Sequence, residues 1–158
     1  MSTDFPIRPA GLTGGGLSFA LVVSRYNSEF TEALAKHASD EILTILPDAA
    51  LDQIDVPGAF EIPLLVKLLA EKQKYTAILA IGVIIQGETA HAELIAGAIT
   101  TALLETSLSY RVPVIHEVLL VANAEQARAR SQDPALNRGI EAARAAVSAA
   151  RAVQSISS

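Results

Sequence analysis

The segment TAILAIGVII at residues 76–85 is apolar after its first residue and does not alternate with polar side chains. That pattern is typical of a parallel β-strand that helices cover on both faces. Three other segments also have the composition of strands. They are LSFALVVSRY at 17–26, LDQIDV at 51–56 and VPVIHEVLLV at 112–121.

Helical patterns follow each of these strands. A helix is predicted to begin at Ser28, which is suited to be its N-cap. Another is predicted over AFEIPLLVKLLAEKQ at 59–73, where Pro63 is tolerated only in the first turn. Three more are predicted at 90–109, 124–131 and 138–153. The alternation implies right-handed crossovers, and so an α/β fold: a three-layer α/β/α sandwich with a four-stranded parallel, flavodoxin-like sheet.

Composition excludes several classes of protein. The 158 residues include 17 acidic and 12 basic side chains and no cysteine, which argues against nucleic acid as a partner and against disulfides or thiolate zinc sites. The longest apolar run, at 77–85, is about half of what a bilayer span needs, and no signal-peptide pattern precedes it. We expect a cytoplasmic protein without a membrane partner, with a flexible N-terminal arm at 1–16 and one domain at 17–158.

The carboxyl ends of the strands are the expected binding edge, because ligands of open parallel sheets bind there. Gly87 and Thr89 stand where the third strand turns into a helix, and free backbone N–H groups at such a turn suit a phosphate. An ordinary helix cap is the structural alternative. His91 follows this turn, where its imidazole would suit proton transfer near neutral pH.

The remaining polar residues leave more than one interpretation open. Glu61 follows Pro57-Gly58 and would either accept hydrogen bonds from ligand hydroxyls or favour the start of a helix. His37 is expected on a helix surface and His116 inside a strand. No pair of histidines has the spacing of metal ligands, so a metal site is not expected.

Arginines are concentrated near the two C-terminal helices. Arg128, Arg130 and Arg138 form a basic cluster in a chain that is otherwise acidic. A guanidinium group can bind phosphate through two N–H donors. The alternative for this cluster is a solvated helix face.

Several motifs occur in a recognisable order. They are SRYN at 24–27, VPGAFEIP at 56–63, GVIIQGETAH at 82–91, EQARAR at 125–130 and NRG at 137–139. Together they resemble the 6,7-dimethyl-8-ribityllumazine synthase family over about residues 17–153. The second motif followed by the third is highly specific.

The resemblance implies the penultimate step of riboflavin synthesis. In that step 5-amino-6-(D-ribitylamino)uracil is joined to 3,4-dihydroxy-2-butanone 4-phosphate, without metal or organic cofactor. The resemblance gives proton transfer to His91. It gives phosphate binding to Gly87, Glu88, Thr89 and Arg130. It implies that the pyrimidine ring and the ribityl chain are bound by Tyr26, Asn27, Ala59, Phe60, Glu61, Gly82, Val83 and Ile84. His116 and Arg138 would enter the pocket of a neighbouring subunit.

The chain departs from the family pattern at a few positions. His116 and Ala92 stand where the family usually has Phe. Gln86 replaces a usual Arg, and Arg138 replaces a usual Lys. We therefore expect an active enzyme with a more polar and roomier pocket.

The resemblance also implies a homopentamer with active sites at subunit interfaces, and an aliphatic chain with few charges has surface to bury. Assembly into a decamer or an icosahedral shell is left open, because the loop SQDPALN at 131–137 keeps only Asn137 of the usual shell-forming loop. Association with a riboflavin synthase is left open too. The alternative function is a non-catalytic flavin- or lumazine-binding storage or carrier protein on the same fold.

Overall fold

The computed structural model describes residues 4–9 and 16–157. Within them one sheet contains the strands β1 (Ser18–Ser24), β2 (Ala50–Val56), β3 (Ala77–Ile85) and β4 (Val114–Val121). All neighbouring strands pair in parallel, in the order β2-β1-β3-β4. The predicted fold class and the four-stranded parallel sheet are thus confirmed.

The helices connect and follow the strands in the predicted positions. They are α1 (Ser28–Ile45), α2 (Ile62–Glu71), α3 (His91–Tyr110), α4 (Ala124–Gln132) and α5 (Arg138–Ser157). A short 3-10 helix, Ala59–Glu61, precedes α2, and Pro63 lies in the first turn of α2 as predicted. Within the described ranges, no helix has both the length and the hydropathy of a membrane span.

Two hydrophobic cores lie on the two faces of the sheet. On one face Phe19, Leu21 and Val23 of β1 pack with α1, α4 and α5. On the other face Ala20 and Val22 pack with α2 and α3. Each large aliphatic side chain buried in this way stabilises the fold by roughly 1.5–3 kcal/mol, so the helices are held to both faces mainly by apolar contact.

The N-cap of α1 differs from the prediction, although the helix begins at Ser28 as expected. The N-cap is Asn27, not Ser28, and it has left-handed φ and ψ angles of 61° and 42° with no side-chain cap. Asparagine tolerates this conformation better than most residues. Its amide Nδ2 instead donates to the Val83 carbonyl oxygen at 2.8 Å. The prediction that Ser28 is the N-cap is wrong. The residue before it takes that position, and the Asn27 side chain connects the turn to β3 and leaves the helix end without a side-chain cap.

Residues 4–9 of the predicted arm lie against α1 and α5 without forming a helix or strand. Arg8 Nε and Nη2 donate to the two carboxylate oxygens of Glu41 at 2.8 and 2.9 Å. Arg144 Nε also donates to Glu41, at 2.8 Å, and its Nη1 donates to the Pro6 carbonyl oxygen at 2.9 Å. Hydrogen bonding to Arg8, aided by Arg144, lowers the pKa of Glu41. Residues 1–3 and 10–15 of the arm lie outside the described residues.

The NRG motif has a structural basis at the start of α5. Asn137 is buried, and its Oδ1 accepts from the N–H groups of Gly139 and Ile140 at 2.8 and 3.2 Å. Its Nδ2 donates to the Ser131 carbonyl oxygen. A Cβ atom at Gly139 would collide with the backbone oxygen of Leu34 in α1. Asparagine thus caps α5, and glycine allows α5 to approach α1.

We predict that Gly139→Ala destabilises the fold by about 1–3 kcal/mol, because the clash is with backbone and α1 must shift. Gly97→Ala in α3 is the matched control, since a Cβ there would meet no atom within 4 Å. That substitution should stabilise its helix, by up to about 1 kcal/mol. Denaturant unfolding measures both changes. Wild-type stability in Gly139→Ala would show that α1 and α5 do not need this close approach.

Candidate active site at the carboxyl edge of the sheet

Hydrogen bonds join the loops at the carboxyl ends of the four strands. After β1, the Tyr26 N–H donates to the Pro57 carbonyl oxygen at 3.0 Å. After β3, the Gln86 N–H donates to the Val121 carbonyl oxygen at 2.8 Å. The amide of Asn27 connects the first of these loops to β3. The four loop regions expected along this edge are therefore brought together.

Two aromatic side chains are exposed at this edge. Tyr26 is 69% exposed and Phe60, in the 3-10 helix beside half-buried Ala59, is 62% exposed. The Tyr26 ring packs on Gly58, where a Cβ would lie 2.9 Å from ring atom Cδ2. Glu61 Oε2 accepts from the Gly58 N–H at 2.9 Å, which fixes its carboxylate beside the ring. Exposed rings of this kind offer stacking surface to a planar ligand.

The turn at residues 87–90 leads into an uncapped helix end. The N-cap of α3 is Ala90, which has no side chain able to cap. Thr89 Oγ1 accepts from the His91 N–H only at 3.4 Å, beyond the usual range of such bonds. Gly87, Glu88 and Thr89 are exposed, and a Cβ at Gly87 would meet no atom within 4 Å. The ordinary cap is thus not formed, and the first-turn N–H groups are available to an anion.

His91 and Arg130 lie on different helices, α3 and α4, which pack on opposite faces of the sheet. His91 is the first residue of α3 and is exposed. Arg130 lies half-buried in the last turn of α4. No carboxylate in the described part of the chain forms an ion pair with Arg130, whereas Arg128 pairs with Glu29 at 3.6 Å. The guanidinium charge of Arg130 is therefore not neutralised within the described residues.

The sequence-predicted residues of β3 lie beneath the edge. Gly82 is buried, and a Cβ there would lie 3.1 Å from Ser24 Oγ and 3.2 Å from Ile62 Cδ1. The Val83 side chain is 3% exposed and packs with the α1 and α5 layer, while Ile84 is half-buried on the other face. In the single chain these side chains serve packing. The Val83 carbonyl oxygen connects β3 to the edge, because it accepts a hydrogen bond from Asn27 Nδ2.

His116 lies on the α3 side of β4, and both ring nitrogens are hydrogen-bonded. Nδ1 accepts from the Val118 N–H at 3.2 Å, so Nε2 carries the proton of the neutral ring. Nε2 lies 2.7 Å from Thr100 Oγ1, which itself donates to the Ala96 carbonyl oxygen at 2.8 Å. Burial lowers the pKa of His116. The ring is therefore held neutral and points away from the edge loops of its own chain.

Arg138 lies on the opposite face of the sheet, so the structure does not bring it together with His116. Its Nε donates to Glu117 Oε1 at 3.0 Å, and its Nη1 lies 2.7 Å from Glu141 Oε2. The side chain of Glu117 is 5% exposed, and burial raises its pKa to about 7 despite the opposing effect of Arg138. Sequence reasoning missed Glu117. An acid inside the apolar strand VIHEVLLV is the signal that would have found it, because a buried carboxylate requires a paired cation.

The edge therefore combines exposed aromatic rings, a helix N-terminus without a side-chain cap, and an imidazole. Within residues 4–9 and 16–157, no three His, Asp or Glu side chains are grouped so as to hold a metal ion. The arrangement suits proton transfer between a planar heterocycle and an anionic reactant, with the helix end binding the anion.

Comparison with known proteins identifies the family. The family described as 6,7-dimethyl-8-ribityllumazine synthase matches residues 16–154. A Verminephrobacter eiseniae protein named 6,7-dimethyl-8-ribityllumazine synthase is 37% identical over 147 residues, which cover 92% of this chain and 93% of the relative. A Caulobacter vibrioides protein named 6,7-dimethyl-8-ribityllumazine synthase 1 is 41% identical over 138 residues, which cover 87% and 90%. With this match over nearly its whole length, the chain belongs to the 6,7-dimethyl-8-ribityllumazine synthase family.

Proposed function

We propose that the carboxyl edge of the sheet is the active site of a lumazine synthase. The reaction joins 5-amino-6-(D-ribitylamino)uracil to 3,4-dihydroxy-2-butanone 4-phosphate and releases 6,7-dimethyl-8-ribityllumazine, phosphate and water. The observation that carries this proposal is the position of His91. It is the first residue of a helix whose exposed N-terminus has no side-chain cap.

The pyrimidine would bind at the aromatic side of the edge. A planar ring can stack on exposed Tyr26, whose own ring is supported by Gly58. The fixed carboxylate of Glu61 can accept hydrogen bonds from ribityl hydroxyl groups next to Phe60. Asn27 contributes by holding this loop against β3, since its Nδ2 donates to the Val83 carbonyl oxygen.

The phosphate would bind at the start of α3. Backbone N–H groups of the turn at Gly87, Glu88 and Thr89 and the positive end of the α3 dipole favour an anion there. Arg130 has no ion pair within the described residues, so it can offer a charge-assisted contact to phosphate oxygens.

The chemistry needs proton transfer at several steps. The pyrimidine amine attacks the ketone and water leaves, which gives an imine. Loss of phosphate, tautomerisation and ring closure with loss of a second water then complete the lumazine. An imidazole at the phosphate site can accept and return these protons, while binding both reactants side by side removes the entropic cost of their meeting. Both relatives are named as synthases, which favours turnover over the carrier alternative.

We also propose a homopentamer in which His116 and Arg138 reach a neighbouring subunit's site. Large aliphatic side chains are exposed on α2 and α3, among them Leu64, Leu104 and Leu108 at 61%, 59% and 70%. Both helices belong to the layer on which His116 lies. Exposed large apolar side chains on one layer favour association. A decamer or shell, a riboflavin synthase partner and a cytoplasmic location stay predictions.

We predict that His91→Ala lowers kcat by roughly 10²- to 10⁴-fold with little change in either KM, because general acid–base catalysis acts mainly in the transition state. Lumazine absorbance and phosphate release measure the reaction. His37→Ala in α1 is the control and should keep the wild-type rate. An unchanged kcat in His91→Ala would remove His91 from the mechanism, and a wild-type protein that forms no lumazine would overturn the proposed function.

Arg130→Ala should raise KM for the butanone phosphate by about 10- to 100-fold, the equivalent of about 1.5–3 kcal/mol for one charge-assisted contact. KM for the pyrimidine should change little, since it offers no phosphate to the guanidinium. Arg128→Ala, on the same helix but paired with Glu29 at 3.6 Å, is the matched control. Equal increases in the two Michaelis constants would indicate a structural role for Arg130.

Leu104→Glu should reduce the oligomer to smaller species, because a charge would be buried in an apolar interface. Light scattering after size exclusion gives the mass. Leu43→Glu on α1, where the leucine is 40% exposed on the opposite layer, should keep the wild-type mass. A monomeric wild-type protein would contradict the pentamer.

A further inference from the structure

We propose that His116 caps the free side of β4 while its imidazole is neutral and releases that side when the imidazole is protonated. The free side is the side of β4 that faces away from β3. Unpaired backbone groups at such a position are those to which another strand can add, so a cap there protects the sheet. This cap takes no part in the reaction proposed above and would operate whether or not the protein forms lumazine.

The pairing of β4 shows which backbone groups face its free side. Within the described residues β4 ends the strand order β2-β1-β3-β4, so only its β3 side is paired with a strand. The carbonyl oxygens of Pro113 and Val121 point to that side, where they accept from the N–H groups of Ile78 and Gln86. Successive residues of a strand direct their backbone groups to alternate sides. Val118 therefore directs its N–H group away from β3.

The His116 side chain takes the place of a partner strand at Val118. Its Nδ1 accepts from the Val118 N–H at 3.2 Å. At the other ring nitrogen, Nε2 lies 2.7 Å from Thr100 Oγ1, and that oxygen already donates its own proton to the Ala96 carbonyl oxygen. Nε2 must therefore donate to Thr100. This contact with α3 holds the ring in the orientation that directs Nδ1 to Val118.

Protonation of the ring is incompatible with the cap. A proton on Nδ1 turns the acceptor into a donor, and two N–H groups would then face each other across 3.2 Å. The ring would have to turn away, and the Val118 N–H would lose its partner. His116 retains access to solvent, and partial burial of the ring lowers its pKa, so the change falls on the acid side of neutrality.

The elements that pack against His116 place uncharged residues next to it. They are Thr100 of α3 and Ala80 of β3, which is its neighbour in register. Glu117 follows His116 in β4 but faces the opposite side of the sheet. The nearest ionisable residues along α3 are Glu93 and Glu105, about 7–11 Å from Thr100 along the helix axis. Burial is accordingly the largest cause of the lowered pKa, and no charged side chain contributes to it.

Two substitutions at His116 hold the cap in its two states. Asparagine places an acceptor oxygen where Nδ1 lies but cannot be protonated, so His116→Asn should stay closed at every pH. Phenylalanine has no acceptor, so His116→Phe should stay open. Hydrogen exchange of the Val118 amide measures the state, with fragmentation in the mass spectrometer to resolve single residues. Each rate is divided by the intrinsic rate of the same sequence at that pH.

At pH 7.5 the Val118 amide of wild type should exchange as slowly as in His116→Asn, and about five- to tenfold more slowly than in His116→Phe. As the pH is lowered towards 4.5, the wild-type rate should approach that of His116→Phe. A constant ratio between wild type and His116→Asn over this range would overturn the proposal. Equal exchange in all three proteins would overturn it too, because something other than His116 would then protect Val118.

Unfolding by denaturant tests the protonation step separately. Because the pKa of His116 is lower in the folded chain than its ordinary value of 6.5, the unfolded chain binds the proton more firmly. Wild-type stability should therefore run parallel to that of His116→Asn above pH 7 and fall relative to it below pH 6.5. Glu117 titrates in both proteins and cancels in the difference. Curves that stay parallel down to pH 4.5 would show that protonation of His116 does not open the cap.

Discussion

Parallel pairing on both sides of β1 is the constraint on which the rest of the structure depends. Val22 of β1 is in register with Ile54 of β2 and with Ala80 of β3. Because all these strands run in one direction, their carboxyl ends meet at one edge, and the connections must cross the faces of the sheet as helices. The loops after β1, β2 and β3, which are far apart in sequence, are brought together for that reason alone.

The same constraint holds the edge together largely without the side chains that depart from the family pattern. Its loops are connected largely by backbone hydrogen bonds, as between Tyr26 and Pro57 and between Gln86 and Val121. These bonds do not depend on which side chain is present. Gln86 can therefore replace arginine and use its side chain elsewhere, where it donates to Glu93 at 2.8 Å. Asn27 and Glu61 are exceptions, because their side chains also hold the frame.

The sequence predicts helices and strands well, because their buried residues recur with a fixed period. It does not predict contacts between residues that are far apart in the chain. Strands such as 76–85 and the position of Pro63 follow from local pattern. The role of Asn27 does not, because its amide bonds to Val83, 56 residues away, instead of capping α1. The pairing of Glu117 with Arg138 likewise depends on how α5 packs against β4. Motif order located the candidate site, but local pattern contains no information about such contacts.

The hydrogen bonds of His116 determine what a histidine offers to a ligand at a position where the family usually has phenylalanine. An imidazole that accepts from Val118 and contacts Thr100 has used both of its nitrogens within its own chain. It has no donor or acceptor left for a ligand, and only the flat face of the ring remains for contact. The expectation of a more polar pocket from this residue stays a prediction, because that pocket belongs to the subunit interface. With both ring nitrogens bonded inside its own chain, His116 offers a ligand only the face of a neutral ring, as a phenylalanine would.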